Sequence, residues 1–192
     1  MPTPNPAALK FLQTRRSRPA KTLTTPVPDD ATVQMLLTTA SRSPDHGKLE
    51  PWRFIVLRKP ALTRLADAVA KFGALKGVEA DKIDKSVAQF GNADLAVAVI
   101  NSPKISDKIP TIEQTYAAGG VCLALLNAAL AAGWGANWLS GWASHDPAFV
   151  QPHLGLTPHE SVAGFIHLGT ETSAPPERPR PDVAAMTTWV DS

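Results

Sequence analysis

The chain has 192 residues, 44% hydrophobic and 19% charged, a balance that excludes a disordered chain and suffices for one folded domain spanning 1–192. A formal net charge of +2, with one tight basic cluster at Arg15, Arg16 and Arg18, is too small a footprint for nucleic acid. The lone Cys122 excludes an intrachain disulfide and a cysteine-cluster metal site.

Residues 1–6 lack the charged start and apolar core of a secretion signal, and a cytoplasmic protein is expected. Ala8, Leu9 and Leu12, with Phe11 beside them, predict a short amphipathic helix over 6–14 that ends where the arginines begin. Residues 19–28, held between Pro19 and Pro28, read as a linker. Asp29 and Asp30 can cap a second helix carrying Val33, Leu36, Leu37 and Ala40, which the Ser43-Pro44-Asp45 turn stops. Residues 52–57 are aromatic and β-branched and predict a strand, after which Pro60 opens a helix. The polar, mixed-charge segment 71–91 reads as a surface insertion, helical in part.

The unbroken apolar run 95–100 is a strand covered on both faces. Residues 113–132 form the long central helix, and Gly133 ends it. Between residues 116 and 138 the only strongly polar side chains are Asn127 and Asn137, so length alone would allow a membrane span. The Ala- and Gly-rich composition, the amide near the middle and the lack of a second such stretch favour a helix buried in a soluble core. Residues 134–139 and 162–168 supply a third and a fourth strand, and the tail after Thr170, rich in proline, runs extended over a surface. This order predicts an α/β or α+β sandwich: about four strands in a mixed sheet, with helices on both faces.

Several familiar sites are absent by inspection. Gly133-Trp134-Gly135 lacks the third glycine of a dinucleotide fingerprint and follows a helix where that motif needs a strand. No phosphate loop, His-Glu-x-x-His or Gly-x-Ser-x-Gly elbow occurs, and the histidines stand without carboxylates at ligand spacing, so no metal is expected. Three segments are less ordinary. Arg15-Arg16-Ser17 can compensate the dipole at a helix end or can grip an anion. The polar loop from Ser43 to Trp52 suits either a capped turn or a binding loop. Asn137-Trp138-Leu139-Ser140-Gly141-Trp142 sets large aromatics around a small pair whose backbone can approach a planar ring.

Together, and in this order, these segments resemble the nitroreductase family, in particular its short bacterial YdjA-type branch. The landmarks are Arg-Arg-Ser after a first helix, Arg42 followed by Pro-Asp-His and Pro-Trp, Glu113-Gln114 opening the central helix, Trp138-Leu139-Ser140-Gly141, and Phe165-x-x-Leu168-Gly169 before a basic, proline-rich tail. The resemblance implies an α+β sandwich homodimer with FMN at the subunit interface and the C-terminal tail extended over the partner subunit. It implies that Arg15, Ser17, Arg178 and Arg180 meet the FMN phosphate, and that Arg16 lies along the ribityl chain and flavin edge. It places the backbone N–H of Ser140 at flavin N5, Trp138 and Leu139 against one ring face, and Arg42 and His46 near the flavin, the histidine reaching it from the partner. The implied activity is ping-pong hydride transfer from NADH or NADPH to a small electron-poor acceptor, a nitroaromatic or a quinone. Glu50 stands where the family usually has Gln, which leaves the acceptor open. Two other readings stay open: a specialised enzyme of the same fold, such as one that fragments flavin or removes halogen reductively, and a non-enzymatic flavin carrier.

Overall fold

The computed structural model describes residues 3–191. Local chemistry sets most element starts. Asn5 Oδ1 accepts the Ala8 N–H and opens α1 (Pro6–Thr14), while Asp29 Oδ1 accepts the Thr32 N–H and opens α2 (Asp30–Ala40). Strand β2 (Trp52–Arg58) runs straight into α3 (Lys59–Leu75), where Pro60 occupies the first turn without losing a hydrogen bond. After α4 (Ala80–Gly91) come β3 (Leu95–Asn101), α5 (Thr111–Ala131), β4 (Gly135–Leu139), α6 (Pro147–Leu154) and β5 (Ser161–Glu171).

The four expected strands are all present, and the fold is an α+β sandwich. Residues 165–167 of β5 pair with β3 on one edge and β4 on the other, and β2 lies outside β3. A fifth strand, β1 (Leu23–Thr24), pairs with the far end of β5 inside the segment expected to be a linker. Every pairing is antiparallel, so the sheet is not mixed. The segment 71–91 is helical over most of its length and is not a surface insertion: its first part completes α3, and α4 packs back on that helix through Phe90 and Ile83. Helix α6 was not foreseen, although Asp146 caps it, Pro147 starts it and Gly155 ends it at φ 65°.

The sheet is buried on both faces, which explains the unbroken apolar run in β3. Ala96, Ala98 and Ile100 join one core with Leu62, Leu65, Phe90, Phe149 and Phe165 under α3, α4 and α6. Leu95, Val97 and Val99 join a second core with Leu36, Val121, Leu125 and Ile166 under α2 and α5. Helix α5 is the one described helix long and apolar enough to cross a membrane, and 39% of that apolar window is buried within the fold. Its buried face packs against α2 and the sheet, as a core helix does.

Candidate functional site

The arginine segment leaves α1 and is tied to β4. The Arg18 N–H donates to the Ala136 carbonyl at 2.8 Å, Asn137 Nδ2 donates back to the Arg18 carbonyl, and Arg18 Nε pairs with Glu171 at 3.1 Å. This fixes Arg15-Arg16-Ser17 beside the strand that leads to Trp138, Leu139 and Ser140.

The C-terminal tail then returns to the same place. Arg16 Nη1 donates to the Pro176 carbonyl at 2.8 Å, and Arg180 Nη2 reaches the Gln13 carbonyl at 3.5 Å. A cavity of about 330 Å³ is the result, lined by Leu12, Gln13, Arg15, Arg16, Ser17, Arg178 and Arg180. Five expected site residues, from opposite ends of the chain, thus surround one space. Glu177, whose part no motif announced, sets a carboxylate beside these arginines. Its Oε1 lies 3.0 Å from Arg180 and 3.5 Å from Arg16. The Arg178 N–H, with the charges of Arg180 and Arg16, holds its carboxyl below the usual range.

Arg15 is the inner member. Its Nη2 donates to Ser17 Oγ at 3.2 Å, while its Nε is buried with no hydrogen-bond partner. Burial, then the charges of Arg16 and Arg180, lower its pKa. A buried N–H of a cation without an acceptor is costly, and like charges crowded together repel; an anion in the cavity relieves both.

Trp138, Leu139 and Ser140 close β4. Trp138 packs its indole over Gly164, where any side chain would collide with it, and Leu139 is the last paired residue, opposite Phe165. Ser140 follows, exposed, at the sheet's edge. Arg42 and His46 do not line the arginine cavity. Arg42 is exposed past the end of α2, and His46 Nδ1 lies 2.7 Å from Glu113 Oε2 in the first turn of α5.

The loop between α2 and β2 has unusual backbone. Gly47, Lys48 and Glu50 take φ of 73°, 53° and 48°, a left-handed region that non-glycine residues rarely enter. The Glu50 N–H donates to Asp45 Oδ2 at 2.7 Å and helps to hold that shape, while a side chain at Gly47 would displace the terminal methyl of Ile109. The loop borders a second cavity of about 590 Å³, where Lys48, Lys104, Asp45 and Glu50 face Trp52 and Phe54. Among the described residues no group of His, Cys, Asp and Glu side chains is arranged to hold a metal ion.

The sequence profile described as the nitroreductase family matches residues 12–170, which takes in the arginine segment, the loop before β2 and the end of β4. The chain belongs to the nitroreductase family. YdjA of Escherichia coli K12, assigned by name as an NAD(P)H nitroreductase, is 34% identical over 164 residues, 85% of this chain and 87% of that protein. A protein of Haemophilus influenzae with the same assignment is 30% identical over 165 residues, 85% of this chain and 88% of that one. Among solved structures, a nitroreductase-like protein from Bacillus cereus superposes with a TM-score of 0.81 at 21% identity, each chain covered completely. A protein assigned as a nitroreductase from Desulfovibrio desulfuricans, solved with FMN, gives 0.73 at 22% identity, with 99% of this chain and 100% of that one covered. These two establish the fold, and the family is one of oxidoreductases.

Proposed function

We propose that this nitroreductase-family chain is an FMN-dependent NAD(P)H oxidoreductase of small electron-poor acceptors, one domain over 1–192, working as a homodimer. The observation that carries the cofactor is the arginine cavity, where four guanidiniums and a hydroxyl surround a space of about 330 Å³ and the Arg15 Nε lacks an acceptor. Guanidinium forks suit the oxygens of a phosphate dianion better than any other common group. On this reading Arg15, Ser17, Arg178 and Arg180 hold the phosphate, and Arg16 stands toward the ribityl chain. YdjA carries NAD(P)H nitroreductase in its name and the Desulfovibrio desulfuricans protein was solved with FMN, which supports the same pairing here.

The chemistry FMN supplies when bound is hydride uptake from NADH or NADPH at ring N5 and hydride delivery to a nitroaromatic or quinone, in ping-pong order. The chain's own residues position and polarise. Arg18, held to Ala136, sets the distance from the phosphate cradle to the end of β4. There the Ser140 N–H would be the donor toward N5, Trp138 and Leu139 would border one ring face, and the positive charge of Arg16 would favour an anionic reduced ring. No side chain acts as nucleophile or general base.

The homodimer reading rests on helix α5. Ile112, Tyr116 and Leu123 are 53%, 70% and 44% exposed and follow helical spacing with Gly119, so an apolar stripe remains open on the central helix. A second copy covers it, brings Arg42 and His46 to the partner's flavin, and receives the tail, whose Val183, Met186 and Trp189 are also exposed. The absence of a cysteine framework fits a reducing compartment, and we assign the protein to the cytoplasm.

The test is the absorption spectrum of purified protein incubated with FMN and freed of excess, with its mass in solution and NAD(P)H oxidation in the presence of nitrobenzene. Yellow, dimeric protein that turns over is expected. Colourless, monomeric protein defeats the proposal.

A further inference from the structure

One oxygen beside the arginine cavity collects three donors. Glu177 Oε1 accepts the Arg178 N–H at 2.9 Å, and it lies 3.0 Å from Arg180 Nη2 and 3.5 Å from Arg16 Nη1. Two of the donors come from the tail and one from the segment after α1, so residues 161 apart in sequence meet on a single anionic atom. Guanidinium forks and a backbone N–H gathered on one charged oxygen are the partners that a phosphate oxygen takes. Glu177 offers these donors the same charge and the same kind of acceptor.

The carboxylate divides the arginines into two pairs. Arg16 and Arg180 are engaged by it, whereas Arg15 and Arg178 meet no carboxylate among the described residues, and the Arg15 Nε is buried without an acceptor. The return of the tail does not depend on Glu177. Arg16 also donates to the Pro176 carbonyl at 2.8 Å, and Arg180 reaches the carbonyls of Gln13 and Arg178. With those ties in place, what the carboxylate adds is mainly its charge. The Arg178 N–H and the charges of Arg180 and Arg16 hold its carboxyl below the usual range, so that charge is present at neutral pH. The side chain is 68% exposed and lies on the rim, where it can turn away into solvent.

We propose that Glu177 is an internal competitor of the cofactor phosphate: it occupies Arg16 and Arg180, and flavin uptake displaces it from them. The inference rests on the flavin reading above and adds to it a built-in brake on affinity. An arriving phosphate gains Arg15, Ser17 and Arg178 at once, but gains Arg180 only in molecules where Glu177 has let go. The apparent affinity is lowered by the fraction of molecules in that released state.

Glu177→Gln tests it, because the amide keeps the shape and loses the charge, and an exposed position leaves the fold intact. Dissociation constants of FMN and riboflavin are measured by fluorescence quenching and that of inorganic phosphate by calorimetry, for wild type and variant. FMN and phosphate are expected to bind the variant roughly five- to tenfold more tightly, as when the released state is a minor one. Riboflavin, which lacks the phosphate, is expected to show no gain. Unchanged FMN and phosphate affinities overturn the proposal, and weaker ones overturn it by making the carboxylate a clasp for the tail. An equal gain for riboflavin also overturns it, since the effect would not act through phosphate. Wild-type protein that binds phosphate but takes up no FMN defeats the flavin reading alone; tighter phosphate binding by the variant then still sustains the competition, and unchanged binding ends it. Protein that binds neither defeats both.

Discussion

Arg18 and Ala136 are joined main chain to main chain, the Arg18 N–H donating to the Ala136 carbonyl at 2.8 Å, and Asn137 Nδ2 donates back to the carbonyl of Arg18. This pair couples the arginine cradle to the strand that leads to Ser140, the two places that FMN would span on the proposed reading. Asn137→Ala keeps the main-chain bond and deletes the side-chain one. The loss of about 0.5–1.5 kcal/mol expected for one hydrogen bond lowers Tm by a few degrees. If the tie sets the spacing, the Kd for FMN rises several-fold as well. Thermal melts and flavin titration of the same variant separate the effects, and a lower Tm with unchanged FMN affinity assigns the tie to stability alone.

Arg15→Ala removes the innermost guanidinium, whose Nε is buried and without a partner. A hydrogen bond to a charged group contributes roughly 1.5–3 kcal/mol, so FMN binds more weakly by one to two orders of magnitude. The flavin-to-protein absorbance ratio after gel filtration drops accordingly. Full occupancy in the variant removes Arg15 from the phosphate site.

How much of this was legible beforehand follows from what each feature depends on. Strand β3 announced itself because both faces are covered, which leaves an apolar run with no polar interruption, and β2 did so through its aromatic and β-branched residues. Arg15, Arg16 and Ser17 were readable as an anion grip, yet nothing in the sequence fixes how residue 180 returns to residue 13, since a proline-rich segment has no period to align. Strand β1 was hidden because two residues carry no pattern, and its pairing is set entirely by β5. The loop around Glu50 looked polar, but its left-handed backbone depends on Asp45 and is not written in any propensity.

Ser140→Pro deletes one N–H at the end of β4 and nothing else of size. Leu139 before it is extended, a conformation that a following proline tolerates. Turnover with NADH and nitrobenzene falls by roughly tenfold or more, the scale on which a preorganised donor acts, while flavin remains bound. Stopped-flow measurement of the reductive half-reaction checks this directly, and an unchanged rate rules out the N5 contact.

Cys122 is buried and its thiol is pushed up to about 12, with burial as the cause. The native protein is therefore inert to a thiol reagent such as dithionitrobenzoate at pH 8, and one equivalent reacts when urea unfolds it. Rapid labelling of the folded chain would show that the core around α5 opens under native conditions.

His167 and Glu160 make the fold sensitive to acid through opposite chemistry. His167 in β5 is 1% exposed, both ring nitrogens lack partners, and burial lowers its pKa to about 4. An unfolded histidine binds its proton near pH 6.5, so as pH falls from there toward 4 the unfolded state gains protons that the native state refuses, and stability drops. Glu160 accepts from Arg53 at two oxygens, Nε at 2.7 Å and Nη2 at 2.8 Å, and that pairing holds its carboxyl well below the usual range. Its stabilising share is present above its ordinary pKa, near 4.5, and is lost at lower pH. Urea titrations at a series of pH values should therefore show loss beginning near pH 6.5 and continuing below 4.5. The variant His167→Leu, which keeps the site apolar, removes most of the upper part of that slope, to which His153, its pKa also lowered by burial, adds a share, and leaves the lower part; a slope between pH 6.5 and 4 undiminished by it would place the acid sensitivity elsewhere.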